Sequence, residues 1–343
     1  MRRRDVIAGL AAAPLMGAAR TAPPAADFEA AWRGAVADPR QGRTDALLVL
    51  QDGQTVFERY GPDHGPDTRH VSWSIAKAVT HALVGAAVLR DLVDIDAPVS
   101  VIPENRDVTL RHLLTLTDGL PWDEDRKPLA VASDASRLLF GPGRFDGARY
   151  AASRPGARRP PGTAWNYSTG AYHLAAAELT TRLFPDLADP GLRRRRLADW
   201  AAEALFARAK FDMVLEFDPR GIFYGGSLMW ATARHYAAFG RLYLDGGGGV
   251  LPDGWARFAR TPTVEPTYGA GWWLEGAPGP GAGPSLLGGE PADAFHARGL
   301  DGQVLMVVPS RRLVIVRLGY TPDTGIGWPA IAGCLRRIIT LSS

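Results

Sequence analysis

The chain is expected to fold as an α/β (α+β) protein: an antiparallel sheet formed by its N- and C-terminal segments, flanked by helices, with an inserted, mostly helical lobe. Three observations lead there. Strand-like segments sit near both ends of the sequence, at 46–60 and 271–318. Helical periodicity fills much of 109–244 between them. The stretch 75–89 is apolar almost all the way round, as a helix is when other elements pack on several of its sides. Strands drawn from both termini around a helical middle argue for a single antiparallel sheet with helices on its faces. The expected division is an α/β lobe from 23–95 and 245–343 and a helical lobe from 96–244, in a chain whose 343 residues suit one large domain or two joined lobes.

Residues 1–22 stand apart. Arg2-Arg3-Arg4-Asp5-Val6-Ile7 precedes an Ala-rich apolar run to Ala19 and then small residues, the pattern of an export signal. Adjacent arginines point to the twin-arginine route, and the run is too short to span a bilayer. A periplasmic or secreted protein without membrane attachment after cleavage is therefore expected. Losing Arg2, Arg3, Arg4 and Asp5 would lower the formal net charge from +3 to +1, so the pI of 9.1 is no argument for a nucleic-acid partner. The single Cys334 cannot form an internal disulfide. No Cys/His cluster is visible in the spacing, which excludes a structural zinc site on sequence grounds, and no cofactor is expected.

In chain order, 28–36 reads as a short helix ending before Asp38-Pro39. Two strands, 46–50 and 55–60, flank Gln51-Asp52-Gly53-Gln54, and Asp-Gly between alternating segments predicts a hairpin. A polar loop at 61–67 delivers the chain to the central helix, and Asp96-Ala97-Pro98 marks a turn in the loop-like 91–103. Helices are predicted over 109–116, ending at Asp118-Gly119-Leu120-Pro121; over 170–183, ending at Pro185; over 192–209; and over 232–244, ending at four glycines. The run Arg193 to Arg196 is expected on a solvated helix face. Strand character returns at 271–274, 303–308 and 312–318, the last two joined by Pro309-Ser310-Arg311, and an amphipathic helix occupies 331–341. The Gly/Pro-rich 275–290 has no period and reads as a mobile surface segment. There are no internal repeats and no signal for oligomeric state.

Chemistry concentrates at the start of the central helix. Ser74 falls at its N-terminus, where unpaired N–H groups and the helix dipole favour negative charge. Lys77 follows one turn on and on the same face. With 12 Ser and three Lys in the chain, chance placement gives roughly 0.1 Ser-x-x-Lys matches. Of the 39 Lys+Arg, 36 are Arg, so a lysine here answers a need that arginine, which cannot release its proton, does not meet. The bland alternative is a capping serine beside a snorkelling lysine.

The order of motifs then matters: Ser74-x-x-Lys77, then Trp165-Asn166-Tyr167-Ser168-Thr169 before a helix, then His296-Ala297-Arg298-Gly299-Leu300-Asp301-Gly302-Gln303 leading into a strand. With the stretches 113–125 and 231–244, this order resembles the serine β-lactamase and penicillin-binding-protein superfamily, in particular its class C-like esterase and amidase branch, which includes 6-aminohexanoate-dimer hydrolase. The resemblance spans about residues 45–340. It implies a β-lactamase/transpeptidase-like fold with Ser74 as nucleophile, Lys77 as its base and Tyr167 as a second acid/base. The Ser74 N–H and a strand N–H near Gly299 would bind the oxyanion.

Three departures shape the substrate side. Tyr167-Ser168-Thr169 replaces the usual Tyr-x-Asn, putting a hydroxyl at Thr169 where an amide is common. Asp118 stands where relatives often carry serine. The Lys-Thr-Gly strand motif is missing, leaving His296 and Arg298 as the nearby cations, and this weakens the case for binding a β-lactam carboxylate. The resemblance implies an exported serine hydrolase of carboxylic esters or linear amides, with small-molecule substrates. The alternatives are a β-lactamase or D-alanyl-peptide hydrolase, and a penicillin-binding-like sensor that does not turn over. No Gly-x-Ser-x-Gly elbow supports a Ser-His-Asp triad instead. Trp73, Trp122, Trp165, Trp272 and Trp273 hint at an apolar acyl pocket.

Overall fold

A computed structural model of the chain describes residues 25–102, 107–124, 133–276, 285–322 and 324–342. The expected export signal lies outside them. The N-terminal part holds α1 (Ala25–Ala37), β1 (Arg43–Gln51), β2 (Gln54–Tyr60), β3 (Arg69–Val71) and α2 (Ile75–Val88). The middle holds α3 (Leu110–Leu114), α4 (Asp134–Phe140), α5 (Gly147–Ala152), α6 (Thr169–Leu183), α7 (Pro190–Ala201), β4 (Val214–Leu215), β5 (Met229–Thr232) and α8 (Ala233–Leu244). Then come α9 (Trp255–Ala259), β6 (Trp273–Leu274), β7 (Phe295–Gly299), β8 (Gln303–Val308), β9 (Leu313–Tyr320) and α10 (Thr324–Leu341).

The main sheet has the order β2-β1-β9-β8-β7-β6 with every neighbour antiparallel, so both ends of the chain build it as expected. The β1–β2 turn places Asp52 at φ +50° and Gly53 at φ +76°, the two left-handed positions that match a turn to the twist of its strands. Alternation then sorts the core. Ala46, Leu48 and Leu50 of β1, with Val314, Val316 and Leu318 of β9, join the cluster that contains α2, α6 and α8. Leu47 and Val49, with Leu313 and Ile315, join the cluster under α1 and α10. Because a strand's side chains alternate sides, one sheet separates two apolar layers. Helix α2 is buried from Ile75 through Ala87, so it runs through the centre of the protein. Cutting a side chain such as Leu83 back to alanine there costs about 2–5 kcal/mol.

The structure corrects the expected layout in three places. A second, three-stranded sheet, β3-β5-β4, ties the segment before α2 to the middle of the chain, where a single antiparallel sheet was expected. Its strands span only two to four residues, too few for alternation to show in sequence. His296 to Gly299 is itself strand β7 rather than a lead-in to one. The described ends of 275–290 are anchored: buried Glu275 accepts hydrogen bonds from Ser285 Oγ, from Leu286 N at 3.1 Å and from Leu287 N at 2.9 Å, while 277–284 lie outside the described residues. In the arginine run, Arg194, Arg195 and Arg196 are exposed as expected, Arg194 also donating to Asp218 O, whereas half-buried Arg193 donates to the carbonyls of Leu187 and Arg220. Among the described residues no helix is long and apolar enough to cross a membrane.

Candidate active site

The turn ahead of α2 is fastened before the helix begins. Ser72 N donates to Met229 O at 2.7 Å, and Ser72 Oγ donates to Ser227 O at 2.7 Å while accepting from Met229 N at 3.1 Å. Between Ser72 and Ser74, Trp73 adopts φ +42°, a left-handed conformation that costs a bulky residue about 1–3 kcal/mol and persists only where its surroundings hold it. Ser74 then caps α2 with helical backbone angles and without using its hydroxyl as a cap. That hydroxyl is left for Lys77, whose Nζ lies 3.0 Å from Ser74 Oγ.

Lys77 is 1% exposed. Its Nζ also lies 2.9 Å from Gly226 O and 3.1 Å from Thr169 Oγ1, and it faces the Tyr167 ring at 4.7 Å from the centroid. Among the described residues no carboxylate pairs with it directly. Tyr167 sits just before α6, whose N-cap Ser168 accepts from Ala171 N at 2.9 Å. The Tyr167 ring is caged by Trp273, stacked at 5.4 Å, with Trp165 and Tyr268 each at 6.0 Å. Three residues far apart in sequence thus meet around one amine.

These groups border a cleft of about 560 Å³, lined in part by Trp73, Ser74, Tyr167, Trp273, Arg298 and Gly299. Gly299 ends β7 hard against the turn before α2: a Cβ at this position would lie 2.4 Å from Ser72 O. Arg298 stacks on Trp273, with its guanidinium carbon 4.1 Å from that ring centre and 5.5 Å from that of Trp328. Burial lowers the Arg298 pKa from its ordinary value, yet an arginine remains charged. A cation braced by two indoles on a cleft wall is suited to receiving an anion.

Two substrate-side expectations do not fit. Asp118 is buried outside the cleft lining, and its Oδ1 accepts from Leu120 N at 2.9 Å, closing the turn after α3. Burial pushes its pKa up to about 6. His296 is also buried and outside the cleft lining, although it shares a side of β7 with Arg298, and its Nδ1 lies 3.2 Å from Glu275 Oε1. Thr169 lines the cleft but spends its hydroxyl on Lys77 and Glu124. Of the tryptophans, Trp272 is a core residue stacked on Phe239 at 5.9 Å, whereas Trp73 and Trp273 reach the cleft.

Glu124 is the member that sequence reasoning missed. Its Oε1 accepts from Thr169 Oγ1 at 2.5 Å, and its Oε2 accepts from Thr169 N at 2.8 Å and from Trp122 Nε1 at 2.6 Å. Thr169 Oγ1 in turn accepts from Lys77, so a carboxylate reaches the lysine through one hydroxyl. The residue lies in the acidic run Trp122-Asp123-Glu124-Asp125, where no periodicity or spacing sets it apart from its acidic neighbours.

Comparison with known proteins fits this geometry. The Beta-lactamase family profile matches residues 32–324. A 6-aminohexanoate-dimer hydrolase of Paenarthrobacter ureafaciens is 24% identical over 315 residues, covering 82% of this chain and 73% of the relative. Among solved structures, a penicillin-binding-protein homologue from Caulobacter crescentus superposes with a TM-score of 0.69 at 16% identity, covering 94% of this chain and 99% of the other. EstCE1, a hydrolase with promiscuous acyltransferase activity, gives a TM-score of 0.67 at 14% identity, covering 91% and 98%. A profile match over most of the chain, on a fold that brings its Ser-x-x-Lys pair into a cleft, establishes that this chain belongs to the Beta-lactamase family and is a hydrolase of that family.

Proposed function

We propose that the chain hydrolyses carboxylic esters or linear amides through an acyl-enzyme on Ser74. The observation that carries the reading is the contact set of Lys77 Nζ. Gly226 O and Thr169 Oγ1 take two of the three positions around the nitrogen, and the third is directed at the Ser74 hydroxyl at 3.0 Å, so the deprotonated amine has its lone pair placed to receive the serine proton. Ser74 Oγ attacks the substrate carbonyl carbon as its proton passes to Lys77, and the resulting oxyanion is held by N–H groups at the start of α2 and near Gly299. Collapse expels the alcohol or amine, which takes its proton from the Lys77–Tyr167 pair. Water then attacks the acyl carbon as it loses a proton to the same pair, and collapse releases the carboxylic acid while that proton passes to Ser74 Oγ.

Arg298 on the cleft wall supports substrates that carry a carboxylate near the scissile bond, and the indoles beside it support an apolar linker. The 6-aminohexanoate dimer named for the relative is one molecule of this type. We further propose that residues 1–22 direct export, a reading supported by their sequence pattern alone.

The test is a panel of p-nitrophenyl esters, linear amides and β-lactams, assayed with wild type and Ser74→Ala and paired with fluorophosphonate labelling. Turnover of esters or amides that disappears in Ser74→Ala, with the label mapped to Ser74, supports the reading. Labelling elsewhere, or turnover of β-lactams alone, overturns it. A burst without steady-state turnover would instead identify a sensor.

A further inference from the structure

We propose that Asp45, His64 and His70 form a divalent-cation site, chemically best suited to Zn²⁺, outside the catalytic cleft. The three come from β1, the turn after β2, and β3, and one ligand atom from each lies within 4.8 Å of the others. None of them lines the cleft. Asp45 and His70 are buried, and the His64 side chain is 18% exposed, so the group is withdrawn from bulk water while keeping one open side.

The hydrogen bonding around the cluster is incomplete in a way a cation would complete. His64 Nδ1 lies 2.7 Å from Pro62 O. A carbonyl can only accept, so the proton is on Nδ1, as in histidines whose outer nitrogen is oriented by a backbone carbonyl while the other binds metal. In the neutral ring His64 Nε2 then carries a lone pair 3.5 Å from Asp45 Oδ2, an acceptor facing an acceptor, which is the arrangement a cation between them resolves. His70 Nε2 is buried with no hydrogen-bond partner, although the residue is only 8% exposed. A polar nitrogen buried without a partner destabilises the fold that holds it. A metal ion would satisfy all three atoms at once.

Arg43 does not close the site. Its Nε holds Asp45 Oδ1 at 2.5 Å and its Nη2 lies 3.2 Å from Oδ2, while the arginine side chain is 62% exposed, so it approaches the carboxylate from the solvent and a bound ion would share Asp45 with it. Two imidazoles and one carboxylate, with room for a water molecule, suit zinc's preference for four nitrogen or oxygen ligands. Bonds of about 2.0–2.2 Å would require the side chains to draw together by rotation. The proposal revises the exclusion of zinc drawn from sequence spacing: His64 and His70 are joined by Asp45 only through the fold. His70 lies four residues before Ser74, on the strand that leads into the nucleophile's turn, so a bound ion would brace that approach.

The test uses the full chain, stripped with EDTA and dialysed, then titrated with Zn²⁺ by calorimetry and with Co²⁺ by visible absorption. The expected result is one ion per chain, an intense d–d band of low coordination number, and a thermal midpoint that rises with Zn²⁺. His64→Ala and His70→Ala should each weaken binding by at least about tenfold. Absence of zinc binding and of a cobalt band in folded wild-type protein overturns the proposal. So does equal affinity in the double variant His64→Ala/His70→Ala.

Discussion

Glu124 and Glu275 gather donors in the same manner, yet they belong to different parts of the molecule's work. Glu124 accepts from the Thr169 N–H and hydroxyl and from the Trp122 indole. Glu275 accepts from the Ser285 hydroxyl and from the N–H groups of Leu286 and Leu287. The difference lies one atom further along. Past Glu124, Thr169 Oγ1 meets Lys77 Nζ at 3.1 Å, so its charge is felt at the Ser74–Lys77 pair. Past Glu275 lie buried His296 and the end of a long loop. A hydrogen-bonded carboxylate is therefore catalytic support or scaffold according to what its donors touch, not according to how many it has.

The most severe way to test that contrast is to remove its common reference. Lys77→Met should lower kcat/KM for a p-nitrophenyl ester by on the order of 10²–10⁴-fold while the circular dichroism spectrum stays native. If rates survived, nothing wired to Lys77 could matter, and Glu124 would be scaffold too. The next comparison is direct. Glu124→Gln should cut kcat by about 10-fold or more, whereas Glu275→Gln should leave kcat nearly unchanged and cost about 1–3 kcal/mol of stability in urea titrations. Equal rate losses in the two variants would erase the distinction.

pH sharpens it further. Burial alone would raise the Glu275 pKa, but the hydrogen bond with His296 and those from the loop outweigh burial and hold it below the ordinary 4.5. Its contribution to stability is therefore present above pH 4.5 and fades as pH falls below that value. The stability gap between wild type and Glu275→Gln should close in acid. Asp118 has the opposite sign, because burial pushes it up to about 6 with the Leu120 N–H as its main opposing bond. Keeping it ionised above pH 6 opposes folding, so Asp118→Asn should stabilise the protein at pH 7 by about 1–3 kcal/mol and have no such effect at pH 4. The smallest expected effect is at Arg298: Arg298→Gln should raise KM several-fold for esters bearing a carboxylate and leave neutral esters unaffected.

What could be read from the sequence followed from periodicity and local spacing. Helix α2 was legible because 75–89 lacks a polar face, and the closeness of Ser74 and Lys77 because residues three apart share one side of a helix. The β1–β2 hairpin was legible from Asp52-Gly53. The second sheet was hidden because strands as short as Val214–Leu215 display no alternation. Glu124 was hidden because nothing in its irregular stretch reveals that it will bond Thr169, 45 residues on. Motif position points Asp118 to the substrate side and leaves His296 equally readable as structural or substrate-facing, and only burial shows where they lie.

The pairing of β1 with β9 carries a consequence for biosynthesis. Leu48 lies opposite Val316, more than 260 positions downstream, and Gly299 must pack against Ser72 before the cleft has its second wall. On the ribosome the serine emerges more than 200 residues ahead of the strands that complete its surroundings. A nascent chain therefore cannot present a finished catalytic groove until β7 to β9 have followed, and hydrolytic competence must wait for them.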